Sequence, residues 1–181
     1  MFPTHFEPVL RYDEDMNALL YCAAYKKDFA TPGYGVAKWD TPILGKPLLK
    51  WQTESLLHNG VDHLFIAWPK KADVPDFLAG NAQVSLLLLD KPKGNAGAIA
   101  SLAELDEDLL YVPGDLFLDV DLHRFLKFHK EKGAMISAFV HPEPHPEQKD
   151  VLIVKPNGRG FVVLPKETSA ARDFAYRNII P

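Results

Sequence analysis

Short, nearly continuous apolar runs alternate along this chain with stretches of helical periodicity, and that alternation restricts its fold more than any other feature. The runs at 18–24 (ALLYCAA), 61–68 (VDHLFIAW), 84–89 and 109–112 are too short for ordinary helices. They have the apolar continuity of strands buried on both faces. Between them, Pro47 can open a helix that runs through Leu48, Leu49, Gln52, Leu56 and Leu57 and closes at Asn59-Gly60. Residues 74–79 predict a short helix and 96–105 another. Asp121 is a suitable N-cap for a helix over 122–132 ended by Gly133. A strand over 134–140 and a hairpin of 151–154 with 161–164 around Asn157-Gly158 complete the reading. Strand and helix in alternation predict an α/β fold: three layers, a mainly parallel twisted sheet with helices on both faces.

The length of 181 residues suits one domain with a sizeable core. Residues 1–16 read as an N-terminal extension and 17–181 as the domain. The apolar fraction of 47% and charged fraction of 24% are those of globular chains. A net charge of -4 offers no basic field for a phosphate backbone, which argues against nucleic acid as the main partner. Cys22 is the only cysteine, so an internal disulfide and a multi-cysteine metal site are excluded. The densest apolar run, 86–89, is far short of a membrane span, and the first sixteen residues are acidic where a secretory signal would be basic. A cytoplasmic protein without a membrane partner is expected.

In open parallel sheets ligands bind beyond the carboxyl ends of the strands. Asp115 falls at such an end, after Tyr111-Val112-Pro113-Gly114. A carboxylate there can hold a hard cation such as Mg²⁺, which needs only one or two protein carboxylates beside phosphate oxygens, or it can simply cap a turn. The run Lys91-Pro92-Lys93-Gly94-Asn95-Ala96-Gly97-Ala98 is a glycine-bearing turn entering a helix. It matches neither a Walker A loop nor a dinucleotide fingerprint, and on pattern alone it is an ordinary turn. Lys38, Lys46 and Lys166 each stand near proline or glycine on loops, where a lysine neutralises phosphate or is merely solvated.

The order of these pieces resembles the sugar-1-phosphate nucleotidyltransferases. Gly45-Lys46-Pro47-Leu48-Leu49 with Asn59-Gly60-Val61 is similar to that family's GKPLL…aGV stretch. Residues 92–98 are similar to its PLGTAGA segment, and residues 112–122 to its VLNGDxLxDxDL run. His141-Pro142 and His145-Pro146 before Asp150 resemble the mannose-1-phosphate/heptose-1-phosphate guanylyltransferase-like branch. The two histidines, each beside proline, read better as a rigid loop than as metal ligands, since no third ligand is evident. The resemblance runs from about residue 18 to the C-terminus. It implies the nucleotide-diphospho-sugar transferase-like fold, and an enzyme that moves a nucleotidyl group from an NTP to a sugar 1-phosphate with release of pyrophosphate. It implies Asp115 as metal ligand and, with Lys38, as the catalytic pair. It also implies Ala23, Ala24, Gly94, Asn95, Ala96 and Gly97 as nucleotide-binding, Lys166 as sugar-phosphate-binding, and Mg²⁺ as cofactor.

The chain departs from the family at the triphosphate loop. Where LAAGxGTRLxP is expected it has Cys22-Ala23-Ala24-Tyr25-Lys26-Lys27-Asp28-Phe29-Ala30-Thr31-Pro32, without the glycines or the arginine. Side chains then stand where backbone must approach phosphate. The last strands of the family and its second metal-binding aspartate have no counterpart before Pro181. The alternative function is therefore a catalytically impaired nucleotide- or nucleotide-sugar-binding, regulatory module of the same fold. A homo-oligomer or a partner subunit is left open, and neither base nor sugar is specified.

Overall fold

The computed structural model describes residues 15–23, 37–91, 94–105 and 107–139, with the backbone of 151–154 and 161–164. The chain divides into two compact units, Met1–Lys132 and Gly133–Pro181.

In the first unit, β1 (Asn17–Tyr21) is followed by a short 3₁₀ turn (Lys38–Asp40) and the two-residue strands β2 (Pro42–Ile43) and β3 (Lys46–Pro47). Then come α1 (Leu48–His58), β4 (His63–Pro69), a second 3₁₀ turn (Asp76–Leu78) and β5 (Val84–Leu89). Helix α2 (Gly94–Ala100), β6 (Leu109–Pro113) and α3 (Leu122–Lys132) complete the unit. Four strands form one sheet in the order β5-β4-β1-β6. Every pairing is parallel, with Leu20 opposite Ile66 on β4 and opposite Val112 on β6.

Alternation along the central strands sends side chains to opposite faces. Ala18 and Leu20 of β1, with Cys22 just beyond it, join Leu64, Ile66 and Trp68 of β4 under Leu49 and Leu56 of α1 and Leu122 of α3. Leu19, Tyr21 and Ala23 join Ala67 and Leu89 under Ala98 of α2. The expected three-layer arrangement, with helices on both faces of a parallel sheet, is therefore present. β1, buried at all five residues, is its centre.

Local signals account for most boundaries. Gly60, with φ of +90°, turns the chain after α1, and Asp121 Oδ1 accepts the Arg124 N–H at 2.9 Å to cap α3. Pro47 occupies the N-cap of α1, and the Leu48 N–H behind it is satisfied by the Thr41 carbonyl at 2.9 Å. The short helix expected at 74–79 is a single 3₁₀ turn. The helix expected over 96–105 ends at Ala100, where the Ser101 hydroxyl donates to the Gly97 carbonyl and the backbone breaks into turns.

Three expectations differ from the structure. β5 is not buried on both faces: among the described strands it pairs only with β4, and Leu88 is exposed, so it is an edge. Residues 134–139 form no strand, and Met135 and Ile136 stand exposed. The segment read as loop before α1 contains a hairpin of β2 and β3 turned by Leu44 and Gly45, both left-handed (φ of 50° and 78°). Leucine rarely adopts this conformation, so its sequence gives no hairpin signal.

In the second unit, β7 (Val151–Val154) and β8 (Phe161–Leu164) pair antiparallel, Val151 opposite Leu164, as expected of the hairpin. The His141 and His145 loop lies outside the described residues.

Candidate active site

Asp115 leaves the carboxyl end of β6 through Gly114, and the close fit there explains the glycine. The Gly114 N–H donates to the Tyr21 carbonyl at 2.9 Å. A Cβ at residue 114 would stand 2.4 Å from that carbonyl oxygen and 2.8 Å from the Cys22 Sγ. Only a residue without a side chain lets the turn sit directly on the end of β1. The carboxylate that follows is about half exposed.

Lys38 reaches the same place from the 3₁₀ turn ahead of the small hairpin. Its neighbour Trp39 packs on Trp68 at the end of β4, ring centroids 4.5 Å apart, which moors the turn to the core. The Lys38 Nζ then lies 3.0 Å from Asp115 Oδ2, an ion pair across 77 positions of sequence. With both groups roughly half exposed, this pair contributes little to stability, on the order of 0–1 kcal/mol. What it does is concentrate one cation and one carboxylate at the carboxyl edge of the sheet, where ligands bind in open parallel sheets.

Electrostatic effects mark the same spot. Burial pushes the Cys22 thiol from 9.0 up to about 12, with the Asp115 charge adding to it. Burial, then the Tyr21 hydroxyl, Asp115 and Cys22, push the Tyr111 phenol up to about 12. Cys22 is therefore a neutral thiol in the core rather than a nucleophile. Tyr21 is 7% exposed, and its buried hydroxyl has no hydrogen-bond partner among the described residues.

The remaining predicted residues fall as follows. Ala23 is buried beyond the end of β1, in the same cluster as Ala98 of α2. Gly94, Asn95, Ala96 and Gly97 form the first half of α2, which packs on that face through Ala98. Ala24, the 25–29 loop and Lys166 lie outside the described residues. Lys46 does not join Asp115: its Nζ pairs with Glu54 and lies 3.3 Å from the Trp51 ring centroid.

Reading the sequence missed Gln52. It is 2% exposed on the apolar face of α1, and its Nε2 donates to the Pro113 carbonyl at 3.1 Å and the Leu116 carbonyl at 2.6 Å. The available signal was one amide in a row of leucines, which helical periodicity alone absorbs as a core position.

Asp115 suits a magnesium ion. It is an exposed oxygen donor at a strand's carboxyl end, and Mg²⁺ keeps waters and phosphate oxygens beside one or two carboxylates. Among the described residues no group of three or more His, Cys, Asp or Glu could cage a metal by itself.

Comparison with known proteins decides the family. Residues 33–164 match the nucleotidyl transferase family model. The chain belongs to that family. It is 29% identical over 119 residues to the putative mannose-1-phosphate guanyltransferase of Sulfolobus acidocaldarius, across 62% of this chain and 33% of that protein. It is 23% identical over 150 residues to the UTP–glucose-1-phosphate uridylyltransferase of Synechocystis, across 73% of this chain and 39% of that protein. The matches therefore span little more than a third of these relatives' lengths. The crystal structure of HddC from Yersinia pseudotuberculosis superposes with a TM-score of 0.55 at 22% identity, covering 63% of this chain and 54% of that one. That likeness establishes the shared fold. No helix among the described residues is long and apolar enough to cross a membrane.

Proposed function

We propose that this nucleotidyl transferase family member transfers a nucleotidyl group from an NTP to a sugar 1-phosphate. In the reaction a phosphate oxygen of the sugar 1-phosphate forms a bond to the α-phosphorus, the bond from that phosphorus to the bridging oxygen breaks, and pyrophosphate leaves. The observation that carries this reading is the 3.0 Å approach of Lys38 to Asp115 at the carboxyl edge of the parallel sheet. Such chemistry needs positioning and charge neutralisation more than covalent participation by the protein.

Asp115 would hold Mg²⁺, and a divalent cation there neutralises phosphate charge. Lys38, within reach of the same point, is placed to bind a phosphate oxygen as a point charge. The α2 segment from Gly94 to Gly97, with Ala23 and Ala24, would take the nucleotide. Lys166 would take the sugar phosphate. The two relatives above are named for mannose 1-phosphate and glucose 1-phosphate, which supports a hexose 1-phosphate as acceptor. A cytoplasmic setting, where NTPs are abundant, accords with this chemistry.

A second reading is favoured by one observation, the replacement of the family's glycines by Tyr25 and Lys27. It is a module that binds nucleotide or nucleotide-sugar without turnover and regulates a partner subunit. Purified protein with Mg²⁺, a panel of NTPs and a panel of sugar 1-phosphates separates the two. Pyrophosphate release above an Asp115→Ala control supports catalysis. Calorimetric binding of a nucleotide without release supports the module, and neither signal rejects both.

A further inference from the structure

Pro113 is the last residue of β6, in register with Tyr21, and its carbonyl and that of Leu116 flank Gly114-Asp115. The Pro113 carbonyl accepts a long hydrogen bond from the Leu116 N–H, 3.4 Å. Gln52 adds donors to both carbonyls. A side-chain amide has two N–H donors on its nitrogen, and here they meet the two carbonyls that bracket Asp115, at 3.1 and 2.6 Å. With acceptors on that side, the oxygen must face the other way, and Gln52 Oε1 is indeed buried with no hydrogen-bond partner among the described residues. An unsatisfied buried acceptor is unfavourable. A helix that needed only to pack would be better served there by leucine or methionine, as at Leu49 and Leu56.

The same face of α1 continues the contact. Ser55, three residues on, places its hydroxyl 3.5 Å from the Leu118 carbonyl, and the Asn59 side-chain amide donates to the Ser55 carbonyl at 2.8 Å. On the opposite side the Gly114 N–H is tied to Tyr21. The turn is therefore held from α1 and from β1, and the Asp115 side chain projects from it toward Lys38.

We infer that Gln52 is the positioning residue of the Asp115 carboxylate: its amide clamps the backbone on both sides of Asp115 and presets that carboxylate for cation and phosphate. This rests on the reading of Asp115 given above. Gln52 touches no reacting atom, and its effect passes entirely through the backbone of the turn.

The test compares the full-length chain with Gln52→Met, which keeps volume and removes both donors, and with Thr53→Val. Thr53 is a similarly buried α1 neighbour whose hydroxyl has no hydrogen-bond partner among the described residues. Backbone hydrogen exchange over 114–118 is expected to quicken about tenfold in Gln52→Met, with β4 unchanged and Thr53→Val like wild type throughout. Mn²⁺ affinity in the presence of an NTP is expected to weaken about fivefold or more, and kcat to fall about tenfold with KM for the sugar phosphate held within about twofold. A general packing defect would move β4 as well and would not separate kcat from KM. Should Gln52→Met not fold, Gln52→Asn, one methylene too short to bridge both carbonyls, is expected to change exchange and metal affinity in the same direction. Exchange over 114–118 within about twofold of wild type in the folded variant overturns the inference. Wild-type protein that neither binds Mn²⁺ with NTP nor turns over rejects the nucleotidyl-transfer reading instead. The exchange contrast would still decide whether Gln52 fixes Asp115.

Discussion

Lys38 Nζ stands 3.0 Å from Asp115 Oδ2, so that in this structure an ammonium already occupies the carboxylate proposed to hold a divalent cation. Under the proposed function the two cations would compete for one anion until a triphosphate took the lysine. Lys38→Met is therefore expected to tighten Mn²⁺ binding to the nucleotide-free protein by about two- to fivefold, the equivalent of a half-exposed ion pair. With NTP present the sign reverses: the same variant binds the Mn²⁺–NTP complex more weakly, because a phosphate contact is lost. Water-proton relaxation titrations with and without nucleotide check both signs. Weaker metal binding in both conditions would reject the competition.

Gly114 tests how tightly the Asp115 turn is fitted. A methyl group at 114 would press on the Tyr21 carbonyl and the Cys22 sulfur, and the first of these is backbone in the centre of the sheet. Gly114→Ala is expected to destabilise the chain by about 1–3 kcal/mol through overpacking and to displace Asp115 from Lys38. Urea unfolding gives the first quantity, and pyrophosphate release against wild type gives the second. A variant as stable and active as wild type would show that the turn has room the structure denies it.

How far the sequence carries depends on whether a feature is local. Continuous apolar runs marked β1 and β4, and Asp121, Asn59 and Gly60 marked helix ends, because each signal resides in a few adjacent residues. Whether β5 is central or an edge is set by which strands flank it, and its apolar residues do not encode that. The Leu44-Gly45 hairpin was invisible because its left-handed leucine violates the usual turn preference. At the site, Asp115 and Lys38 could each be singled out, yet their contact spans 77 positions and exists only once β6 lies beside β1 and Trp39 is seated on Trp68. Gln52 was the opposite case: its position was read and its purpose was not, since both of its partners are backbone carbonyls that leave no trace in side-chain identity.

The Tyr21 hydroxyl is buried in the layer beneath α2, without a hydrogen-bond partner among the described residues. Desolvating a hydroxyl without a compensating hydrogen bond opposes folding, so Tyr21→Phe is expected to raise stability by about 1 kcal/mol in the ligand-free protein. Denaturant midpoints of the two proteins check this. A loss of stability would mean that the hydroxyl has a partner in solution, a buried water being the simplest.

Alkaline titration should find Cys22. Its thiol ionises at 9.0 when unperturbed and at about 12 in the folded chain, chiefly because burial disfavours the thiolate and secondarily because Asp115 repels it. The folded state therefore holds this proton more tightly than the unfolded state. Stability from this group is fully present below pH 9.0 and declines as the pH rises toward about 12. The limiting slope for one such group is about 1.4 kcal/mol per pH unit. Tyr111, pushed up to about 12 in the same direction, steepens the fall from pH 10.0 upward. Replacing Cys22 by alanine removes the lower part of this dependence, so the variant and wild type should diverge at neutral pH and converge between pH 9 and 11 in urea unfolding. The mechanism also requires native Cys22 to resist thiol reagents at pH 8 and to react at the rate of unfolding. Fast labelling of the folded chain would place the thiol in solvent and remove the basis for its shift.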